Sequence, residues 1–273
     1  MVARLLRRFG QIRAHFLQIY DNKRIARFDV GPYVAEQTEI FNRLGLSYES
    51  ALSLTKKVLG SRFSEDLSQQ YVLAAALVSQ KGLRSILEIG TQTGNFSAFL
   101  AQCDPRVRVT TIDLPSSDSR FDNAKIYDGG TSENTNVPAR QELIIERNER
   151  LSDFPNVSFK EMNSIELTTK EASFDLVFVD GDHTFPVVAI DAMNAIRMTK
   201  ESGWIIFDDL RPLDGAISVF GGSETTRLLD VLESAQILET FRLHKRLTAH
   251  RLFDSKHRKQ IALARTKSTV TEF

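Results

Sequence analysis

The stretch SILEIGTQTGNFSAFLAQ, residues 85–102, joins three local patterns in a fixed order. A short apolar run typical of a buried strand is followed by a glycine-containing turn and then by a helical sequence. Gly90 and Gly94 allow the backbone to bend sharply and to approach a ligand where a Cβ would clash. The stretch therefore predicts a strand, a ligand-binding turn and a helix, the opening unit of an α/β sheet.

Further β-rich runs follow, separated by helical sequence. They are VRVTTI (107–112), VSFKEM (157–162), FDLVFV (174–179) and WIIF (204–207). Strands alternating with amphipathic helices predict right-handed crossovers and a parallel sheet covered on both faces. Two late runs, ILETFRLH (237–244) and KQIALAR (259–265), are expected to form an antiparallel pair at one edge. We therefore predict a doubly wound α/β fold with a seven-stranded, mostly parallel, Rossmann-like sheet.

The first eighty residues read as helical, with segments expected near 4–20, 34–59 and 64–80. We divide the chain into an N-terminal helical cap or oligomerisation segment, 1–63, and a ligand-binding domain, 64–273. The polar segment 115–138 is rich in turn formers, and a loop of this length is unusual in a compact domain. It is either a substrate-contact loop or a tolerated surface insertion.

The composition of the 273-residue chain is that of a globular protein, with 42% hydrophobic and 26% charged residues. Extensive disorder and fibrous repeats are thereby excluded, and no apolar run is long enough to span a membrane. The single cysteine, Cys103, cannot form an intrachain disulfide. A reducing, cytoplasmic setting is the expectation.

The zero net charge conceals two basic ends. Residues 1–27 carry seven Lys and Arg against one acid, and residues 242–267 carry nine against one. Apolar residues at helical spacing in the first segment predict a basic amphipathic helix. This helix either packs on the domain or on a second subunit, giving a homo-oligomer, or touches an anionic membrane surface. Nucleic-acid binding is disfavoured, because no aromatic-interleaved binding motif accompanies the charges.

Two acidic residues limit the classes of ligand that the glycine turn is expected to bind. A strand followed by a glycine turn also fits a nicotinamide dinucleotide or a nucleotide phosphate. The turn lacks the G-x-G-x-x-G spacing, however, and Glu88 would place a carboxylate beside any pyrophosphate. A carboxylate there suits a cationic ligand. Asp113 ends the second strand, where it can accept hydrogen bonds from both hydroxyls of a ribose.

These residues resemble the class I S-adenosylmethionine-dependent methyltransferases over roughly residues 65–265. The E-I-G-x-x-x-G turn at 88–94 is similar to their first motif, and Asp113 to their ribose-binding acid. The resemblance implies a cofactor site formed by Glu88, Gly90, Thr91, Gly94, Asp113, Leu114, Asn163, Ser164 and Asp180. Asn163 stands where family members often carry an Asp near the adenine.

Three more carboxylates follow the fourth and fifth strands. Asp180 lies in FDLVFVDGDHTF (174–185), and Asp208 with Asp209 lies in GWIIFDDL (203–210). The carboxyl ends of parallel strands share one edge of the sheet, so these side chains should converge beside the cofactor turn. Hard oxygen ligands grouped in this way suit Mg²⁺ or a similar divalent ion. The alternative is that they are merely solvated strand ends.

The D-G-D-H string, residues 180–183, resembles metal-dependent O-methyltransferases similar to catechol O-methyltransferase, especially relatives acting on sugars and natural products. This resemblance implies that Asp180, Asp208 and Asp209 are metal ligands and places His183 where the catechol-type enzymes carry a catalytic lysine. His183 then acts with Asp180 as the base, or else it only caps a helix or bonds a neighbouring acid. Asp209 replaces the Asn of the catechol-type pattern.

The combined prediction is a metal-assisted, S-adenosylmethionine-dependent O-methyltransferase for a small polyhydroxylated molecule such as a sugar, glycoside or phenolic natural product. Three alternatives remain: a different metal-assisted enzyme on this fold, a nicotinamide-dependent oxidoreductase, and a non-catalytic interaction module. His244, His250 and His257 match no compact metal site and are expected on the solvated surface.

Overall fold

The computed structural model describes residues 31–63, 69–118, 137–167, 173–210, 223–245 and 260–267. The expected helix at 4–20 and the basic N-terminal segment lie outside the described residues, and so does most of the 115–138 loop. The helices are α1 Gly31–Arg43, α2 Tyr48–Leu59, α3 Gln69–Gln80, α4 Asn95–Cys103, α5 Val137–Ser152, α6 Val187–Met198 and α7 Ser223–Ser234. The strands are β1 Ser85–Ile89, β2 Arg108–Asp113, β3 Val157–Glu161, β4 Phe174–Val179, β5 Thr199–Leu210, β6 Leu238–His244 and β7 Gln260–Thr266.

The described strands form one seven-stranded sheet in the order β3-β2-β1-β4-β5-β7-β6. Strands β1 to β5 are parallel, whereas β7 runs antiparallel to both β5 and β6. The predicted α/β fold and its antiparallel edge are thus confirmed. Because β6 and β5 are both antiparallel to β7, they end at the same edge of the sheet.

Each central strand buries both of its faces, which explains why the strands are continuous apolar runs. In β4, Leu176 and Phe178 face one side, where α1 to α4 pack, while Val177 and Val179 face the side of α6 and α7. The ring of Phe178 stacks on Phe96 of α4 with 4.2 Å between centroids. The two apolar layers hold the sheet rigidly, and with it the loops that follow its strands.

The N-terminal helices pack into the same core as the sheet. Phe41 and Tyr48 meet edge to face, with ring centroids 5.2 Å apart, and both belong to the apolar layer of α3 and α4. The single helix expected over 34–59 is in fact two helices, since Gly45 with φ 64° reverses the chain between them. The division of the chain after residue 63, into an N-terminal segment and a ligand-binding domain, stays a prediction. None of the described helices is long and apolar enough to cross a membrane.

The expectation that His244 is solvated is wrong. Strand β6 carries this residue into the contact between the sheet and α1, where it is buried. Its Nε2 atom lies 2.8 Å from Glu36 Oε2, and its ring meets Tyr33 edge to face with 5.0 Å between centroids. His250 and His257 lie outside the described residues.

Candidate active site

The glycine turn after β1 lies directly against the end of β4. Gly90 has φ 101°, and a Cβ on it would overlap the carbonyl oxygen of Asp180. Gly94 has φ 72°, and a Cβ there would lie 2.8 Å from Leu151 Cδ2 of α5. Both positions therefore require glycine for the backbone conformation and for the space. The turn from β1 and the end of β4 form one continuous wall at the carboxyl edge of the sheet.

Glu88 lies beneath this turn, with only 1% of the residue exposed. Ser97 Oγ donates a hydrogen bond to its carboxylate, and Thr111 Oγ1 donates another over 2.6 Å. Thr111 donates its single hydroxyl proton to Glu88. Thr91 is therefore the donor in the 2.6 Å hydrogen bond between the hydroxyls of Thr91 and Thr111. Glu88 thus fixes Thr91 through Thr111, and its predicted direct contact with a cationic ligand stays a prediction.

Burial raises the pKa of Glu88 to about 7. The hydrogen bonds from Ser97 and Thr111 act in the opposite direction, and the charge of Asp113 adds to the increase. The carboxyl therefore titrates near neutral pH, and its charge is stabilised chiefly by two hydroxyl donors.

Asp113 is oriented by two backbone amides. The amide of Gln92 donates to Oδ2 over 2.7 Å, and the amide of Leu114 donates to Oδ1 over 2.8 Å. Burial raises the pKa of Asp113, although both amides oppose the change. Each carboxylate oxygen keeps a further lone pair, so the side chain can also accept two ligand hydroxyls.

Two arginines of α5 support the same region and were not recognised in the sequence. Arg150 Nη1 donates to the carbonyl oxygen of Thr93 within the glycine turn. The buried Arg147 guanidinium lies over the Phe159 ring, 3.9 Å from its centroid, and its charge acts on Asp113. In the sequence, both sit in a helix full of mixed charges, where nothing separates a buried arginine from a solvated one.

The predicted adenine-side residues follow β3. Asn163 Oδ1 accepts the amide of Ile165 over 3.1 Å and so caps the short 3₁₀ turn Ser164–Glu166. Ser164 is buried, and its carbonyl oxygen accepts Asn194 Nδ2 over 2.8 Å. The structure brings both residues to the carboxyl edge, where the Asn163 side chain shapes the backbone.

Asp180, Asp208 and Asp209 converge as the sequence predicts, but they do so around a lysine. Lys245 Nζ donates to Asp208 Oδ2 over 2.5 Å and to Asp209 Oδ1 over 2.7 Å. Only 14% of the Lys245 side chain and 2% of that of Asp208 are accessible. Loss of water opposes the charged form of Lys245, yet the charges of Asp208 and Asp209 raise its pKa above the ordinary value. Sequence reasoning missed Lys245.

Asp180 completes the cluster next to this ion pair. Crowding by protein atoms and the charge of Asp208 raise the pKa of Asp180 well above its ordinary value, although 37% of its side chain stays accessible. His183 Nε2 lies 3.7 Å from Asp180 Oδ1. The two predicted catalytic side chains are therefore neighbours on the open side of the cluster. The charges of Asp180 and Asp208 also act on Tyr71 of α3, and burial raises the pKa of its phenol to about 12.

The residues at the predicted metal site do not fit a divalent ion in this arrangement. Two of the three proposed ligands already bind the Lys245 ammonium. Across the described ranges, no group of three or more His, Cys, Asp or Glu side chains is arranged so that it could hold a metal. In the structure, Asp208 and Asp209 therefore bind the ammonium of Lys245 where a divalent ion was expected.

Residues 87–210 match a family model described as a methyltransferase domain. This range contains the glycine turn, Asp113, Asp180, Asp208 and Asp209, and it ends before Lys245. The match covers less than half of the chain, and over this range the chain is similar to methyltransferase domains.

Several solved structures have a similar fold. The O-methyltransferase TomG from Streptomyces achromogenes, solved with S-adenosylmethionine, shares 19% identity over 84% of this chain and 94% of its own, with a TM-score of 0.51. An O-methyltransferase from Bacillus cereus in complex with S-adenosylhomocysteine shares 18% identity over 88% and 100%, with a TM-score of 0.51. The cofactor-bound protein Rv0187 from MTB shares 21% over 80% and 88%, with a TM-score of 0.53. These likenesses show the fold, and no curated protein matches the chain in sequence.

Gly90→Ala should destroy the cofactor turn without unfolding the protein. The new methyl group would push the turn away from Asp180, so we expect affinity for S-adenosylhomocysteine to fall at least about tenfold in calorimetric titration. Gly82→Ala is the matched control, because Gly82 also has a positive φ, 70°, but its nearest neighbour is 4.0 Å away. Equal affinities for the two variants would contradict the packing argument.

Glu88 should make stability depend on pH between about 4.5 and 7, the unfolded and folded pKa values. The folded protein keeps the Glu88 proton in this window and the unfolded chain loses it, so the unfolding free energy falls as the pH rises. The total change is on the order of 3 kcal/mol. Glu88→Gln should abolish this contribution in urea unfolding measured across the window. The exposed Glu49→Gln serves as control, and a wild-type pH dependence retained in Glu88→Gln would refute the assignment.

Proposed function

We propose that the protein is an S-adenosylmethionine-dependent O-methyltransferase that acts on a hydroxyl group of a small polyhydroxylated molecule. The observation that carries the proposal is the placement of Asp113. Its two oxygens are fixed by the amides of Gln92 and Leu114 beside the glycine turn. Across that turn, Gly90 touches the backbone of Asp180, the neighbour of His183. The acid proposed to bind the cofactor and the candidate base thus lie on opposite sides of the contact between Gly90 and Asp180.

The proposed binding mode uses groups whose positions are already fixed. The hydroxyls of the cofactor ribose bind the free lone pairs of Asp113, and its methionine end lies along the backbone of Gly90, Thr91 and Gly94. Glu88 stabilises this backbone from below through Thr111 and Thr91. Preformed donors and acceptors reduce the ordering that binding would otherwise require.

The proposed chemistry is a direct displacement. The acceptor oxygen attacks the methyl carbon of the sulfonium, the carbon–sulfur bond breaks, and its electron pair passes to sulfur to leave neutral S-adenosylhomocysteine. The hydroxyl proton goes to the imidazole of His183, whose Nε2 atom lies 3.7 Å from Asp180 Oδ1. Most of the acceleration would come from holding oxygen, carbon and sulfur in line.

The nature of the acceptor rests on two supports. Two of the similar structures are named as O-methyltransferases, one of them from tomaymycin synthesis. The cluster on the acceptor side offers carboxylates and an imidazole, which suit a neutral molecule with several hydroxyls rather than an anion. Divalent-metal assistance through Asp180, Asp208 and Asp209 remains a sequence prediction, and no step above depends on it.

Asp113→Asn should separate cofactor binding from folding. The amide keeps the size of the carboxylate but loses its charge and one acceptor. A hydrogen bond to a charged group contributes about 1.5–3 kcal/mol, so calorimetric affinity for S-adenosylhomocysteine should fall at least about tenfold. Asp104→Asn is the control, because Asp104 pairs with Arg84 and Arg106 away from the carboxyl edge. Absence of binding by the folded wild type would overturn the proposal, and hydride transfer with a nicotinamide would favour the oxidoreductase instead.

His183→Ala tests the base. With methyl-labelled S-adenosylmethionine and a panel of sugars, glycosides and phenols, we expect kcat to fall on the order of 100-fold or more at neutral pH. Affinity for S-adenosylhomocysteine should stay unchanged. The defect should shrink at high pH, where a phenolic acceptor ionises without help. A variant with wild-type turnover would exclude His183 as the base.

A further inference from the structure

We propose that the ammonium of Lys245 takes the place of a divalent cation between Asp208 and Asp209, so that the chain itself supplies the cation of this site. Lys245 is then a positioning residue that keeps the carboxylates in place beside the candidate base. The inference rests on the proposed function only for the statement that this cluster adjoins the acceptor.

The sheet topology explains how a residue far along the chain reaches this point. Lys245 directly follows β6, and β6 is parallel to β5 because both are antiparallel to β7. The carboxyl ends of β5 and β6 therefore share one edge. The start of β7 lies between them, with Gln260 paired to both Leu210 and His244. A long, flexible side chain at position 245 can cross this single strand and reach Asp208.

The backbone that carries the lysine is firmly held. His244 is buried, its Nε2 lies 2.8 Å from Glu36 Oε2, and its ring packs edge to face against Tyr33. The ladder between β6 and β7 extends to this residue. The ammonium is consequently delivered from a fixed strand end, and α1 contributes to holding it there.

A metal ion and this ammonium exclude each other. Mg²⁺ sits about 2.1 Å from its carboxylate oxygens. An ion at that distance from Asp208 Oδ2 and Asp209 Oδ1 would overlap the Lys245 nitrogen, which is 2.5 and 2.7 Å from the same two atoms. Asp209 adopts φ 54°, a conformation uncommon for a residue with a side chain, and this conformation accompanies its contact with the lysine.

Burial makes the lysine necessary for the charge of the site. Asp208 is 2% exposed, and isolated buried carboxylates are strongly unfavourable. A cation must therefore accompany Asp208, and Lys245 is the one that contacts it. If the ammonium is removed without replacement, the same oxygens become free to bind a metal.

The experiment is a Mn²⁺ titration of the full chain, with the electron paramagnetic resonance signal of the free ion as readout. We expect no saturable Mn²⁺ binding by the wild type. Lys245→Met removes the charge but keeps the length of the side chain, and this variant should acquire a saturable Mn²⁺ site. Mn²⁺ should also raise the melting temperature of Lys245→Met and leave that of the wild type unchanged.

Two further variants locate the new site. Lys200→Met removes a lysine that lies 2.7 Å from Asp175 Oδ1 near the opposite edge of the sheet, so it should gain no Mn²⁺ binding. Adding Asp208→Asn to Lys245→Met should abolish the acquired site. Saturable wild-type binding that Asp208→Asn removes would overturn the proposal, and so would a folded Lys245→Met that binds no Mn²⁺. If Lys245→Met does not fold, the wild-type titration decides alone.

The outcome is independent of cofactor binding. If the wild type binds no S-adenosylhomocysteine but Lys245→Met acquires the Mn²⁺ site, the proposed function fails and the assignment of Lys245 stands. If the wild type binds S-adenosylhomocysteine and also shows saturable Mn²⁺ binding that Asp208→Asn removes, the assignment of Lys245 fails and the proposed function stands.

Discussion

The close contact between Gly90 and the backbone of Asp180 is the constraint on which the site depends. β1 and β4 are neighbours in the middle of the sheet, and the helices that follow them, α4 and α6, pack on opposite faces. In open α/β sheets, ligands bind at such a position, outside the carboxyl ends of neighbouring strands whose helices lie on opposite faces. Because no side chain fits between these two strand ends, the glycine turn and the end of β4 that carries Asp180 lie directly against each other.

The charges at this edge are arranged in two groups. Glu88 and Asp113 lie on the cofactor side, where hydroxyl and amide donors stabilise them and Arg147 acts on Asp113. On the acceptor side, Asp208 and Asp209 depend on the ammonium of Lys245. In the proposed function, the ion pair on the acceptor side would cancel much of the charge of these two carboxylates, which would suit a neutral acceptor.

Local patterns in the sequence were sufficient to predict most of the fold. The predicted bounds of β1 and β4 agree with the structure, because each is a buried apolar run closed by a turn residue. β5 is longer than the four-residue run suggested: it starts at Thr199, which still pairs with Phe174 of β4. The insertion of β7 between β5 and β6 could not be predicted, because strand order depends on contacts that local periodicity does not encode.

The residues of the site also divide into those that local sequence patterns predict and those whose place depends on distant contacts. Gly90, Asp113, Asp180 and Asp208 could be found because each lies at or just after the carboxyl end of a strand, and the parallel topology brings these ends together. Lys245 and Arg147 could not, since a lysine in a basic tail and an arginine in a charged helix look solvated until the fold buries them. His244 was misjudged for the same reason: its burial depends on α1, which is more than two hundred residues away in sequence.

A fixed ammonium also changes what the site can recognise. A divalent ion has open coordination positions and can chelate two adjacent oxygens of an acceptor. The ammonium of Lys245 has three donors, and Asp208 and Asp209 already accept hydrogen bonds from it, so it cannot chelate a pair of oxygens. In the proposed function, recognition of the acceptor hydroxyl would then fall to His183 and Asp180. With Lys245 in this position, such an acceptor would need no adjacent pair of hydroxyls.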